Sequence, residues 1–203
     1  MPTLQLYVPD RGAWREWLAG NHAASSGVWL IYDRKTSRQE RLHYADAVEE
    51  ALCFGWIDST VRPLDAARYM QLFTPRKPKS SWSKVNKERV ARLIKLRVMQ
   101  PAGRAAIAEA KRNGSWSKID TVEALSVPPD LAKALAVSAV ALKNFNAFSP
   151  SSRKGYLHWV HNCSRPETRA ERIDTVVQCA RRNQKSRHEP TLEKARRKRT
   201  FGR

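Results

Sequence analysis

Cysteine and glycine are scarce in this chain of 203 residues, with three of the first and eight of the second. Cys53, Cys163 and Cys179 stand far apart without any C-x-x-C, so no disulfide framework and no zinc ribbon is expected, and a reducing, cytoplasmic setting fits. The few glycines form no G-x-x-x-x-G-K-[ST] and no G-x-G-x-x-G, which removes P-loop nucleotide hydrolysis and a dinucleotide-binding dehydrogenase. No G-x-S-x-G nucleophile elbow occurs either. Long apolar runs are also missing. The longest uncharged one, Ala134 to Leu142, has nine residues, and a membrane-spanning helix needs roughly 20. Met1 to Arg11 offers neither a basic leader nor an apolar segment of the kind a secretory signal uses.

Positive charge is what the chain has in excess: 38 Lys and Arg against 19 Asp and Glu, a net charge of +19. This predicts attraction to polyanions without naming a partner. Arg181 to Arg203 alone carries ten basic and two acidic residues. With no apolar face to bury, that stretch is expected to be a disordered tail. Its Lys194, Arg196, Arg197, Lys198 and Arg199 suit non-specific, salt-sensitive contact with nucleic acid, or simple solvation. Hydrophobic residues make up 41% of the whole chain, enough for a self-sufficient core.

Apolar spacing divides the chain. Up to residue 82, helix and strand signals alternate. Trp14, Trp17 and Leu18 follow the cap candidate Asp10, and Val28 to Tyr32 reads as a strand. Tyr44, Ala47, Val48, Ala51 and Leu52 mark an amphipathic helix that Gly55 closes. Trp56 to Val61 and Arg68 to Thr74 read as strands, the second ended by Pro75. From 83 to 180 every signal is helical: Pro101, Pro128-Pro129 and Ser149-Pro150 open helices, and Ser164 to Glu167 reads as a capping box. The expected class is α+β: a small sheet with flanking helices over 1–82, an all-helical module over 83–180 packed on it, and the basic tail over 181–203.

Few residues gather into chemistry. His158 and His161 are helical neighbours, but Cys163 falls on the apolar stripe and no second ligand cluster follows, so no metal is expected. Cys53 points away from its helix's apolar stripe, toward Asp46, Glu49 and Glu50, which disfavour a thiolate; it reads as inert. The distinctive stretch is Phe73 to Asn86, where a strand ends, Arg76, Lys77 and Lys79 follow, and hydroxyls precede a helix start. Guanidinium, hydroxyl and helix N-terminus suit a phosphate or carboxylate, and Trp82 could flank a ring. The same stretch also reads as a plain connection, capped by Ser81 or Ser83, with Trp82 in the core. Asp58 is an acid in an apolar strand, able to pair with Arg76, to cap, or to act as a base. The candidate ligand-binding set is Trp56, Asp58, Arg76, Trp82, Ser83 and Asn86, with no cofactor and no assigned catalytic residue.

These stretches resemble the YdeI/OmpD-associated family, also labelled OmdA or bacteriocin-protection. The matching words are Ser26 to Leu30, the long run Leu42 to Ser59, Phe73 to Arg76, and Ser81 to Lys87. Met99, Pro101-Ala102-Gly103, Ala110-Lys111 and Gly114-Ser115-Trp116 continue them, followed by Phe148 to Tyr156, Trp159-Val160 and Glu167 to Ile173. Arg97-Val98-Met99 departs from an expected Gly-Arg-Met, and the tail lies past the pattern. The resemblance implies a bacterial cytosolic protein with a helical C-terminal module and a role in protection against bacteriocins or cationic peptides. It implies no agreed reaction or cofactor. A non-enzymatic protein that binds a small anion or nucleic acid is the expectation. The alternative is an enzyme acting on a small anion, with Asp58 as acid or base and Arg76 as clamp.

Overall fold

A computed structural model describes residues 4–34 and 42–186. The chain divides into two compact units between Lys118 and Ile119.

The first unit has a four-stranded sheet. Its strands are β1 (Gln5–Leu6), β2 (Val28–Asp33), β3 (Trp56–Pro63) and β4 (Arg68–Pro75), in the order β1-β2-β4-β3. β1 runs parallel to β2; the other pairs are antiparallel, with a register shift between Asp58 and Val61. Helices α1 (Arg11–Asn21) and α2 (Tyr44–Cys53) connect the strands, and α3 (Lys84–Lys95) and α4 (Pro101–Arg112) follow them. Asp10 caps α1 by accepting from Ala13 N at 2.9 Å, as its spacing predicts. Trp14, Leu18, Val28, Leu30, Leu52 and Phe73 make one core, in which Trp14 donates from Nε1 to Ala47 O at 3.0 Å.

The helical part expected from residue 83 is not a separate layer at its start. Val90 and Leu93 of α3 and Ile107 and Ala110 of α4 belong to the same core as Trp14 and Phe73. The proline-rich connection before α3 is pinned rather than linker-like, since Pro78 O accepts from Asn113 Nδ2 at 2.9 Å and Ser115 Oγ at 3.0 Å. The start of α4 lies against the end of α2. A Cβ on Gly103 would stand 2.3 Å from Cys53 O, so only glycine permits this approach. Gly55, at φ +75°, ends α2 in the left-handed conformation its position implies.

The second unit is helical: α5 (Asp120–Glu123), α6 (Pro129–Ala136), α7 (Ala139–Ala147), α8 (Pro150–His161) and α9 (Pro166–Arg181). Its core centres on Leu131, Leu135, Phe145, Tyr156, Val160 and Val176. Ser149 caps α8, accepting from Ser152 N at 3.2 Å. The expected capping box before α9 does not form. Arg165, not Ser164, occupies the cap position, and no side chain bonds there. Prolines at the first turns of α6, α8 and α9 remove a donor that would have no helical partner.

The second unit also extends past the expected boundary of the tail at 181. Arg181 ends α9, Asn183 turns the chain at φ 54°, and Gln184 N donates back to Cys179 O at 2.8 Å. This is a left-handed helix end closed by backbone bonds. The tail residues Lys194, Arg196, Arg197, Lys198 and Arg199 lie outside the described residues. No helix of the described residues is long and apolar enough to cross a membrane.

Candidate functional site

Strand alternation puts Tyr69, Gln71 and Phe73 of β4 on the sheet face that carries the core. Tyr32 stands opposite Tyr69, and Asp58 of β3 opposite Phe73. Asp58 therefore points in, toward the helices. Its Oδ2 accepts from Tyr44 Oη, at the first turn of α2, at 2.8 Å, and from Gln71 Nε2 at 2.8 Å. Among the described residues no hydrogen bond reaches its Oδ1. Burial first, and the hydrogen bond to Asp58 second, push the Tyr44 phenol up to about 12.

Arg76 follows β4 and is held there by its own backbone, Arg76 N donating to Gly55 O at 2.9 Å. Its guanidinium lies 3.7 Å from the centre of the Trp82 ring, and Nη2 donates to Ser81 O. A desolvated guanidinium on an indole face contributes about 2 kcal/mol. Nε and Nη1 are buried and have no partner. Burial lowers the Arg76 pKa to about 10, and the nearby charge of Asp58 offsets this only in part. Asp58 and Arg76 are thus brought within electrostatic reach but form no ion pair. Leaving buried donors of a cation unmade costs at least about 1–3 kcal/mol, so this arrangement is one that a bound anion would relieve.

The remaining predicted residues separate into two groups. Ser83 is the cap of α3, accepting from Asn86 N at 3.3 Å, and Asn86 Oδ1 accepts from Arg89 Nη1 at 3.0 Å. Both are partly exposed. Trp56 and Trp82 are core residues, each 1% exposed. Trp56 Nε1 donates to His22 O at 3.1 Å. Trp82 meets Arg76 on its ring and Trp116 at 5.0 Å, so no open face is left on which a base or sugar could stack. Both rings fill the core, Trp82 as the plain-connection reading of its stretch has it: a tryptophan at a strand start or just before a helix is well placed to do so. Spacing misses Tyr32, Tyr44, Gln71 and Arg89. The tyrosines lie on apolar stripes, which read as packing, and the pairing that brings Gln71 to Asp58 is long-range.

Cys53 is fully buried, its carbonyl met by Gln100 N at 3.1 Å. Burial first, and Glu50 second, push its thiol up to about 11, which agrees with the inert reading. The acids beside it are not a solvated face. Glu49 and Glu50 are buried, and Arg11 Nε and Arg15 Nη1 each donate to Glu50 at 2.6 Å. Arg11 also meets Asp46 at 2.9 Å, and Arg92 pairs with Glu49.

In the second unit, His158 is exposed beside Asn162 and borders a cavity of about 570 Å³ with Ser151, Ser152, Tyr156 and Trp159. His161 borders a separate one of about 370 Å³ beside Arg169. Cys163 is half-buried, its thiol near Trp159 O. Among the described residues no three His, Cys, Asp or Glu side chains converge to hold a metal ion.

Comparison with known proteins divides the chain in the same way. Residues 6–106 match a domain of unknown function (DUF8412). No curated protein and no solved structure matches the chain. The N-terminal words of the resemblance, from Ser26 to Lys87, thus fall within a region that matches a separate family model. Residues 124–183 match the family described as bacteriocin-protection, YdeI or OmpD-associated, so the resemblance holds over that stretch of the helical unit.

Proposed function

We propose that the protein is a cytosolic, non-enzymatic binding protein with a protective role, and that its first unit holds an anionic ligand at Arg76. One observation carries this reading: a buried guanidinium with Nε and Nη1 unpartnered and no carboxylate in bonding contact. Phosphate or carboxylate oxygens are the acceptors such cationic donors take, and the chain's +19 charge favours their approach. Ser83, Asn86 and Arg89 at the start of α3 supply the polar rim.

The test is titration with inorganic phosphate and with heparin at stepped salt. It uses the full chain, a chain ending at Ser186, and Arg76→Met. The reading expects the Ser186 form to keep phosphate binding and Arg76→Met to lose it at least tenfold. Equal phosphate affinity in Arg76→Met would overturn the reading. Heparin binding should weaken on removing the tail and with rising salt.

A second reading has one observation in its favour. Tyr44 Oη donates to Asp58 at 2.8 Å, and Asp58 lies within electrostatic reach of Arg76, the parts of an acid–base pair for a small anionic substrate. Turnover lost in Asp58→Asn while phosphate affinity persists would favour catalysis.

A further inference from the structure

A second polar group is stranded in the same unit. Tyr32 is 5% exposed, and its hydroxyl has no hydrogen-bond partner. Its ring stacks on Tyr69 at 5.2 Å and 11°, which fixes the direction of the hydroxyl. A buried phenol normally finds a partner, so a lone one calls for a reason. Tyr44 and Asp58 both lie within electrostatic reach of it. Asp58 is also the carboxylate whose charge reaches Arg76, so one acid lies within electrostatic reach of both stranded groups.

The three groups make complementary demands. Oδ1 of Asp58 is an acceptor with no donor, the Tyr32 hydroxyl can donate or accept, and Arg76 offers two donors on a cation. An ammonium beside Asp58 would also meet repulsion from Arg76 and from Arg89, whose charge reaches Tyr44. A neutral hydroxyl has no such penalty: it donates to Asp58 and accepts from Tyr32. We propose that the Tyr32–Asp58 end of this cluster receives a hydroxyl carried by the same anion that Arg76 holds, so that the ligand is a small hydroxylated anion. A hydroxy acid and a polyol phosphate share that chemistry. The inference rests on the reading of Arg76 as the anion anchor.

Two probe pairs test it, each sharing an anionic group and differing by a hydroxyl-bearing arm: acetate against glycolate, and inorganic phosphate against glycerol phosphate. Calorimetric titration of the full chain should show a preference of roughly tenfold for the hydroxylated member of at least one pair. In Tyr32→Phe, which keeps the ring and its stacking, that preference should collapse to about one. Asp58→Asn gives a second test and should also reduce it. The pair that shows the preference tells a hydroxy acid from a phosphate ester.

Equal affinity within both pairs overturns the inference, as does a preference that survives Tyr32→Phe. In either case, anion binding that disappears in Arg76→Met would leave the anchor reading standing. No binding of any probe by the full chain would overturn both. Thermal unfolding of Tyr32→Phe confirms that the variant folds.

Discussion

In the first unit Glu49, Glu50, Gln71 and Ser115 are all buried, and the Tyr32 hydroxyl and two Arg76 nitrogens are stranded. In the second, the described residues bury no whole charged side chain, Arg153 Nε is the one buried side-chain nitrogen without a partner among the described residues, and the pairs Arg169–Asp130 and Lys154–Glu123 lie nearer the surface. Six of the seven tryptophans also fall in the first unit, and only Trp159 in the second. Buried charge is costly unless paired, and an apolar helical core is the simpler route to stability. The contrast teaches where to look. The unit that matches a named family is built like a plain helical scaffold. The unit that matches a domain of unknown function carries the unresolved polar chemistry.

Core truncations give the largest expected effects on this contrast. Trp14→Ala and Phe145→Ala each remove a fully buried ring, and each should cost about 3–5 kcal/mol. Amide exchange should report the loss of protection mainly in the mutated unit; equal loss across both would break the division at Lys118.

Ion pairs come next. Glu50→Gln weakens a buried carboxylate's bonds to Arg11 and Arg15 and should lower stability by roughly 3 kcal/mol. Asp130→Asn, at a half-exposed pair with Arg169, should cost less than about 1 kcal/mol. Urea titration of the two variants separates them, and equal costs would erase the difference in how the units use charge.

The mildest probe changes no residue. With its folded thiol at about 11 against an ordinary 9.0, Cys53 should resist a thiol reagent at pH 8, where half-buried Cys163 reacts. The raised folded pKa also means that Cys53 holds its proton more tightly in the native state. Its contribution to stability is complete below pH 9 and is lost as pH rises toward 11. Rapid labelling of native Cys53 would show that the contact of α2 with α4 opens readily.

Local signals were readable wherever one residue does one backbone job. Asp10, Ser83 and Ser149 cap, Gly55 turns, and prolines start helices, as their spacing implies. The class of each unit was legible for the same reason. β1 was not, because two residues carry no period and its pairing with β2 is long-range. The buried acids were missed because Glu49 and Glu50 sit on the polar side of α2, and only the tertiary fold brings Arg11, Arg15 and Arg92 to them. At the candidate site, Asp58, Arg76, Ser83 and Asn86 stood out as polar residues at element ends. Tyr32 and Tyr44 did not, since a tyrosine on an apolar stripe reads as packing until its hydroxyl is seen to lack, or to make, a bond.

The turn at Asn183 changes how the protein's cationic character is shared out. Arg181, Arg182 and Lys185 belong to the closed end of α9 and its return, so residues 187–203 hold seven basic and two acidic residues, +5 in all. Residues 1–186 keep 31 basic against 17 acidic, or +14. Clipped at Ser186, the protein would still bind a cation-exchange resin firmly and elute late. Retention on a phosphate-bearing column is therefore a property of the folded body as much as of its end, and a tail-less form makes the informative control.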